Sequence, residues 1–268
     1  MKTILKNIIM FVLPKRIKKY VLGNIQKKNE YLKKRIRNLE SFQESIINQM
    51  KYTIETLGNI KFHAQIEQDL LVYLYFKGKR DGFYIDIGAN DGSTISNTMV
   101  FEKIGWGGVC VEPLPDTFKE LRKNRSCDCF NVAISDTNND SVEFLKAVGA
   151  ETLSCLSDQV TQGHKNKVQQ FNGKFEKIQV KTLTFDSLMN NYPGKYNVDF
   201  LSIDVEGAEL LILKSINFSK YKFGFITVEY SVETKEYIKK LTDYMAEQGY
   251  KIYLIWKWDM MFVPIDGE

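Results

Sequence analysis

At 268 residues with 44% hydrophobic content, the chain is long enough to bury one full α/β core and still carry an appendage. Its net charge of +4 is unevenly spread: residues 1–60 hold 13 Lys or Arg against 4 Glu, and the remainder holds 24 against 29 acidic residues. The larger part is therefore acidic, which argues against a nucleic-acid partner, because tracking a phosphate backbone requires a basic face.

In chain order, an apolar patch over 4–13 is closed by Pro14 and followed by Lys15, Arg16, Lys18 and Lys19. An apolar face beside a basic cluster suits an anionic membrane surface, so residues 1–20 are expected either to touch a membrane peripherally or to pack on protein. From Ile25 the spacing changes. Ile25, Asn29, Leu32, Ile36, Leu39, Gln43, Ile46, Met50, Thr53 and Leu57 alternate in steps of four and three, and seven of the ten are apolar. This heptad seam predicts either a short parallel coiled coil over 25–57, making a homodimer or trimer with Asn29 and Gln43 setting register, or one long helix on its own domain. Gly58 ends that arm, and 65–76 reads as an amphipathic helix leading into a domain over 61–268.

The stretch 83–92, FYIDIGANDG, reads as a doubly buried strand running into a sharp turn. Gly88 and Gly92 permit unusual φ/ψ and close approach of another molecule, with Ser93 or Thr94 capping a helix over 94–104. The turn lacks the G-x-G-x-x-G spacing of a dinucleotide site and carries Asp86 and Asp91, whose charge would repel a pyrophosphate. Carboxylates there suit a ligand with an ammonium group and no phosphate, and S-adenosylmethionine fits. The next strand, 108–111, ends in Glu112, placed to accept both ribose hydroxyls.

Further on, a helix over 116–124 leads to a strand over 129–134, an added strand over 141–145, and a segment over 146–177 that reads as a loop-rich, specificity-bearing insertion. Thr184 caps a helix over 185–190. A strand over 199–203 ends in Asp204, Glu206 and Glu209, followed by a helix over 208–216, a strand over 225–228 ending at Glu229, a helix over 234–248, a strand over 250–255 and a hairpin strand over 260–264.

DIGANDGSTISNT, GWGGVCVEP, NVAIS and FLSIDVEGAE together resemble FkbM-type methyltransferases, a branch of the class I S-adenosylmethionine-dependent enzymes, from about Gln65 onward. The resemblance implies a Rossmann-like α/β fold with a seven-stranded sheet and C-terminal hairpin. It also implies O-methylation of sugars or natural products. In such enzymes the end of the third strand holds adenine, which brings in Asn131 and Ala133 as pocket residues or as a plain strand end. The expected cofactor site is then Asp86, Gly88, Asn90, Asp91, Gly92, Glu112, Asn131 and Ala133.

Direct displacement at a sulfonium carbon asks the protein for alignment and a base. Asp204 is the first candidate for the acceptor side and Glu206 the second, while Glu209 either joins them or favours the positive end of its helix. His164 is either a base on a lid or a solvated loop residue, and Thr152 and Ser154 either bind substrate or form a turn. DVEG in place of a Pro-Pro-aromatic turn favours an oxygen acceptor. Asp204, Glu206 and Glu229 also permit a divalent metal, which the spacing does not demand, so none is expected.

Cys110, Cys127, Cys129 and Cys155 contain no C-x-x-C pair and read as reduced thiols. With no apolar run of about 20 residues and no cleavage site after the N-terminal patch, the chain is expected to be cytoplasmic, at most peripheral to the inner membrane face. The leading expectation is a methylase of a saccharide hydroxyl in glycan, lipopolysaccharide or capsule assembly. The alternatives are a natural-product O-methyltransferase and a coiled-coil scaffold with a non-catalytic methylase domain.

Overall fold

The computed structural model describes residues 15–157, 160, 162–230 and 235–266, so the patch expected over 4–13 lies outside the described residues. Contacts divide the chain into two units, Met1–Asn59 and Ile60–Glu268. In the first, α1 (Lys15–Gly58) is one unbroken helix of 44 residues, consistent with a run free of proline. Among the described residues, no helix is long and apolar enough to cross a membrane.

The second unit begins with α2 (Gln68–Tyr75) and the fully buried strand β1 (Phe83–Ile87). There follow α3 (Met99–Lys103), β2 (Gly107–Val111), α4 (Pro115–Asn124) and β3 (Asp128–Phe130). The chain then leaves the main sheet for β4 (Ala133–Ile134), β5 (Asn139–Val148), β6 (Cys155–Leu156), α5 (Gln162–Gln170) and β7 (Lys174–Leu183). It returns through α6 (Phe185–Met189), β8 (Asn197–Ile203), α7 (Glu209–Ser215), β9 (Lys222–Glu229), α8 (Lys235–Glu247), β10 (Tyr250–Trp256) and β11 (Asp259–Pro264).

The main sheet has the order β10-β11-β9-β8-β1-β2-β3, parallel except for β11, which runs antiparallel to β9 and β10. This is the class I methyltransferase sheet that the resemblance implies. The chain winds outward from β1 through β2 to β3 and comes back on the other side at β8. The carboxyl ends of β1 and β8 therefore flank the switch point where an open sheet leaves a crevice.

Three expectations are corrected. The strand over 129–134 is two strands in different sheets: β3 pairs with β2, whereas β4 pairs with β7. Residues 146–177 are not loop-rich, because β5 and β7 run antiparallel from Val148 opposite Lys174 to Val142 opposite Val180, with β4 and β6 at the edges of this four-stranded sheet. Polar outward residues hid the alternation: Lys177 pairs with Glu143 at 3.0 Å and Ser141 Oγ donates to Gln179 Oε1 at 2.8 Å. The helix over 94–104 forms only from Met99. Ile95 has φ +52°, and Ser96 Oγ accepts from the amides of Thr98 and Met99, so the helix starts beyond that turn.

Behind this turn lies a buried cation. The Arg125 guanidinium donates to Glu102 Oε2 at 2.8 Å, Tyr84 Oη at 2.7 Å and Thr98 Oγ1 at 3.1 Å, joining the end of α4 to β1 and to the start of α3. Removing one partner of such a pair strands the other charge. Arg125→Leu is expected to lower unfolding free energy by about 3–5 kcal/mol, read as a shift of the urea midpoint at constant m; a change under about 1 kcal/mol would contradict this role.

Candidate functional site

A cavity of about 920 Å³ opens at the carboxyl ends of β1, β2, β8 and β9, and the second sheet contributes one of its walls. Its charge is lopsided: Asp86, Glu112, Glu151, Asp204, Glu206 and Glu229 line it against a single described cation, Lys167. Apolar Leu114, Val132, Ala133, Ile134 and Phe144 complete one side. A volume of this size admits a nucleoside-sized ligand.

On the β1 side the turn is fixed by main chain. The amides of Gly88 and Ala89 both donate to the Val111 carbonyl at 3.0 Å, and the amide of Asp204 donates to the Ile87 carbonyl at 3.0 Å. Gly88 has φ +88°, and a Cβ there would stand 1.8 Å from the Asp204 carbonyl oxygen. Its lack of a side chain is thus demanded by the neighbouring strand. Asn90 follows at φ +50° and lines the cavity.

Asp86 is buried, accepts from Thr98 Oγ1 at 2.6 Å and faces the cavity; burial raises its pKa against the opposing pull of Thr98 and Arg125. Glu112 is buried at the end of β2, where its carboxylate accepts from the amides of Leu114 at 2.8 Å and Asn90 at 3.1 Å. Burial pushes Glu112 to about 7 despite these bonds. Ala133 is on the apolar wall.

Three expected cofactor residues are not brought to the cavity lining. Asp91 spends its carboxylate on the amides of Ser93 and Thr94 at 2.8 and 2.7 Å and on the Thr94 hydroxyl, closing an Asx-type turn. Gly92, at φ +72°, packs where a Cβ would meet Leu121 at 2.4 Å and Arg125 at 2.6 Å. Asn131 donates to the carbonyls of Glu112 at 2.8 Å and Pro113 at 3.0 Å, bracing the strand ends.

The corner after β8 is where the acceptor is expected. Asp204, half-buried, and Glu206, buried, sit with Glu229 so that one carboxylate oxygen of each lies within 4.8 Å of the others. Glu206 is held at φ +55° and is followed by Gly207 at φ +117°, a backbone excursion that turns the chain into α7. Burial, then Glu229 and Glu206, raises Asp204 well above the carboxylate range. Burial and Glu229 raise Glu206 to about 8, opposed by Lys167, whose Nζ is 3.9 Å away. These hard oxygen donors are of a type that could hold a divalent cation.

Glu209 stands apart from this group. It accepts from the Gly207 amide at 2.8 Å and from Tyr237 Oη at 3.2 Å, which makes it a brace for the first turn of α7. His164 lies on α5, not on a loop, and its side chain is outside the described residues. Thr152 and Ser154 line the cavity. Ser154 also builds its turn, accepting from the Ala147 amide at 3.0 Å and donating to the Glu151 carbonyl at 2.6 Å.

Several lining residues escaped the sequence reading. Gln65 and Gln68 come from the entry to α2, and Gln68 Nε2 donates to Asp259 Oδ2 at 2.9 Å. Asn97 lines the wall and donates to Ser202 Oγ at 3.1 Å, while its buried Oδ1 accepts from no group among the described residues. Asn97 falls within DIGANDGSTISNT, the stretch that carries the resemblance, which is the signal that could have drawn attention to it.

Against known proteins, the model of the methyltransferase FkbM domain matches residues 86–252. No curated protein matches the sequence. Similar solved structures include an O-methyltransferase from Bacillus cereus in complex with SAH, 12% identical over 81% of this chain and 90% of that one, with a TM-score of 0.38. A putative caffeoyl-CoA O-methyltransferase from Staphylococcus aureus is 13% identical over 87% of this chain and 99% of that one, with a TM-score of 0.38. The C-terminal domain of precorrin-6Y C5,15-methyltransferase from Rhodobacter capsulatus is 12% identical over 77% and 94%, with a TM-score of 0.36.

The crowded carboxylates set a pH dependence. Glu112, Glu209 and Asp259 titrate at about 7 and Glu206 at about 8 in the folded chain, against 4.5 for Glu and 3.8 for Asp. The unfolded chain loses these protons first, so the folded state is penalised as pH rises through that window. Thermal melts of ligand-free protein should show Tm falling by several degrees between about pH 5.5 and 8.5. A cationic cavity ligand should bind more tightly at the upper end. A Tm that rises steadily over this range would contradict the burial of these groups.

Proposed function

We propose that this chain, which belongs to the FkbM methyltransferase family, carries the methyl group of S-adenosylmethionine to a hydroxyl oxygen of a saccharide. The single observation behind the oxygen acceptor is the Asp204–Glu206–Glu229 corner, three carboxylates beside the cofactor turn, of which Asp204 and Glu206 have raised proton affinity.

The residues fit the cofactor class. An acidic cavity with one described cation favours a ligand bearing an ammonium and a sulfonium and disfavours a diphosphate. Glu112 retains acceptor capacity beyond its two amide bonds and suits a pair of ribose hydroxyls, with Ala133 and its apolar neighbours taking an adenine. Gly88, Asn90 and Asp86 bound the end where an amino acid group belongs. When bound, S-adenosylmethionine supplies an electrophilic methyl group.

The chain's own task is to orient the acceptor, exclude water and take a proton. Asp204 bonds to Glu229 and is the first candidate base, with Glu206 beside it. Glu206, which titrates at about 8, gives up and takes protons readily near neutrality, as general-base work requires. The connections of the second sheet suit a polyhydroxylated acceptor: Glu151, Thr152 and Ser154 between β5 and β6 and Gln170 at the end of α5 offer hydrogen bonds, and Phe171 offers an apolar face for ring C–H groups. Glycan, lipopolysaccharide or capsule assembly is the setting that the family resemblance suggests.

Isothermal titration should show binding of S-adenosylmethionine and none of NAD; the reverse result would overturn the cofactor. Incubation of labelled cofactor with fractionated glycans, glycolipids and small metabolites should place label on a saccharide. Label only on a non-sugar metabolite would move the reading to natural-product tailoring, and no label on anything would favour a non-catalytic scaffold. Asp204→Asn should lower kcat by about 100-fold or more while leaving cofactor affinity within about threefold. EDTA should leave the rate unchanged, and loss restored by Mg²⁺ would instead assign the three carboxylates to a cation.

A further inference from the structure

α1 carries an exposed apolar stripe. We infer that it pairs with the same stripe of a second copy of this chain, forming a parallel, in-register, two-stranded coiled coil over residues 25–57. The inference stands independently of the proposed reaction.

Two observations carry it. The first is continuity: the seam runs for more than four heptads along a single unbroken helix, beyond the three or four that distinguish a coiled coil from a chance pattern. The second is exposure. Leu32, Ile36, Leu39, Ile46 and Met50 are all at least 40% exposed, and Leu57 reaches 82%. A surface helix of a globular protein normally buries its apolar stripe. Here the seam positions from Asn29 to Leu57 are exposed, and their period of 3.5 residues suits a like helix better than a flat surface.

The polar members of the seam select the partner and its direction. With Leu32, Leu39 and Ile46 at d positions, Asn29, Ile36, Gln43 and Met50 fall at a. In a parallel, in-register pair each a residue meets its own copy, so Asn29 faces Asn29 and Gln43 faces Gln43, and both amides find a partner. Reversing one strand about the middle of the seam sets Gln43 against Leu39. Arg35 at g then also loses Glu40 at the following e position of the other strand, which the parallel arrangement places opposite it. That same arrangement sets Lys28 opposite Lys33, an exposed repulsion. A buried amide without a partner costs more than an exposed like-charge pair, so direction follows the amides. Residues 25–57 hold seven Lys or Arg against four Glu, so two copies repel each other and added salt tightens the dimer.

The test uses the full chain. Light scattering after gel filtration should give twice 31.1 kDa at micromolar concentration, with the dimer persisting to lower concentration in 0.5 M NaCl than in 0.05 M. Leu39→Glu combined with Ile46→Lys changes exposed positions only and should return the mass to a monomer, with S-adenosylmethionine affinity within twofold of wild type. A wild-type monomer across the concentration range, a trimer, or a double variant that stays dimeric would each overturn the proposal. For direction, Leu32→Cys under mild oxidation should cross-link to its own copy. An equimolar mixture of Leu32→Cys and Met50→Cys chains that forms only the mixed cross-link would overturn the parallel order.

Discussion

The turn after β1 and the corner after β8 are held together by a contact that leaves room for no side chain. The carbonyl oxygen of Asp204 occupies the space that a Cβ on Gly88 would need, 1.8 Å away, and the Asp204 amide donates to Ile87. Main chain meets main chain at the point where the sheet reverses its winding order. The elements proposed to hold the methyl donor and the acceptor are therefore joined by backbone and not by mobile side chains. Such a joint keeps the donor and acceptor sides in a fixed relation, which a displacement reaction needs more than it needs any one reactive group.

Around that joint the molecule accumulates acid. Asp86, Glu112, Asp204, Glu206 and Asp259 are each displaced upward in proton affinity, chiefly by burial. The buried cation Arg125 relieves only Asp86, and its hydrogen bonds are spent behind the turn on Glu102, Tyr84 and Thr98. The fold thus keeps the buried Arg125–Glu102 pair for architecture and leaves the cavity with a negative surplus. A surplus of this kind lowers the stability of the ligand-free protein and raises its selectivity for a positively charged ligand.

The central sheet was legible from local pattern. β1, β2, β8 and β9 are apolar runs bounded by turn residues, and the acidic groups at their ends, Glu112, Asp204 and Glu229, follow from where the strands stop. Polar residues whose role depends on distant partners were not. Gln68 bonds to a residue 191 positions away and Asn97 to one 105 away, separations that no periodicity records. Asp91 and Asn131 read as ligand groups because their types suit a ligand, yet both are consumed by nearby backbone. Of the second sheet only the strand over 141–145 was legible, because the outward face is charged and the edge strands, β4 and β6, are each only 2 residues long.

The step from β3 to β4 takes only Asn131 and Val132, and Asn131 is tied to the carbonyls of Glu112 and Pro113. So short a connection has no slack, and it splices the two sheets at the apolar wall of the cavity. A lid tethered by long hinges could swing to admit acceptors of different girth; a wall spliced in this way cannot. In relatives sharing this joint, changes in acceptor preference would therefore arise by exchange of individual wall side chains, one contact at a time, with the outline of the chamber conserved.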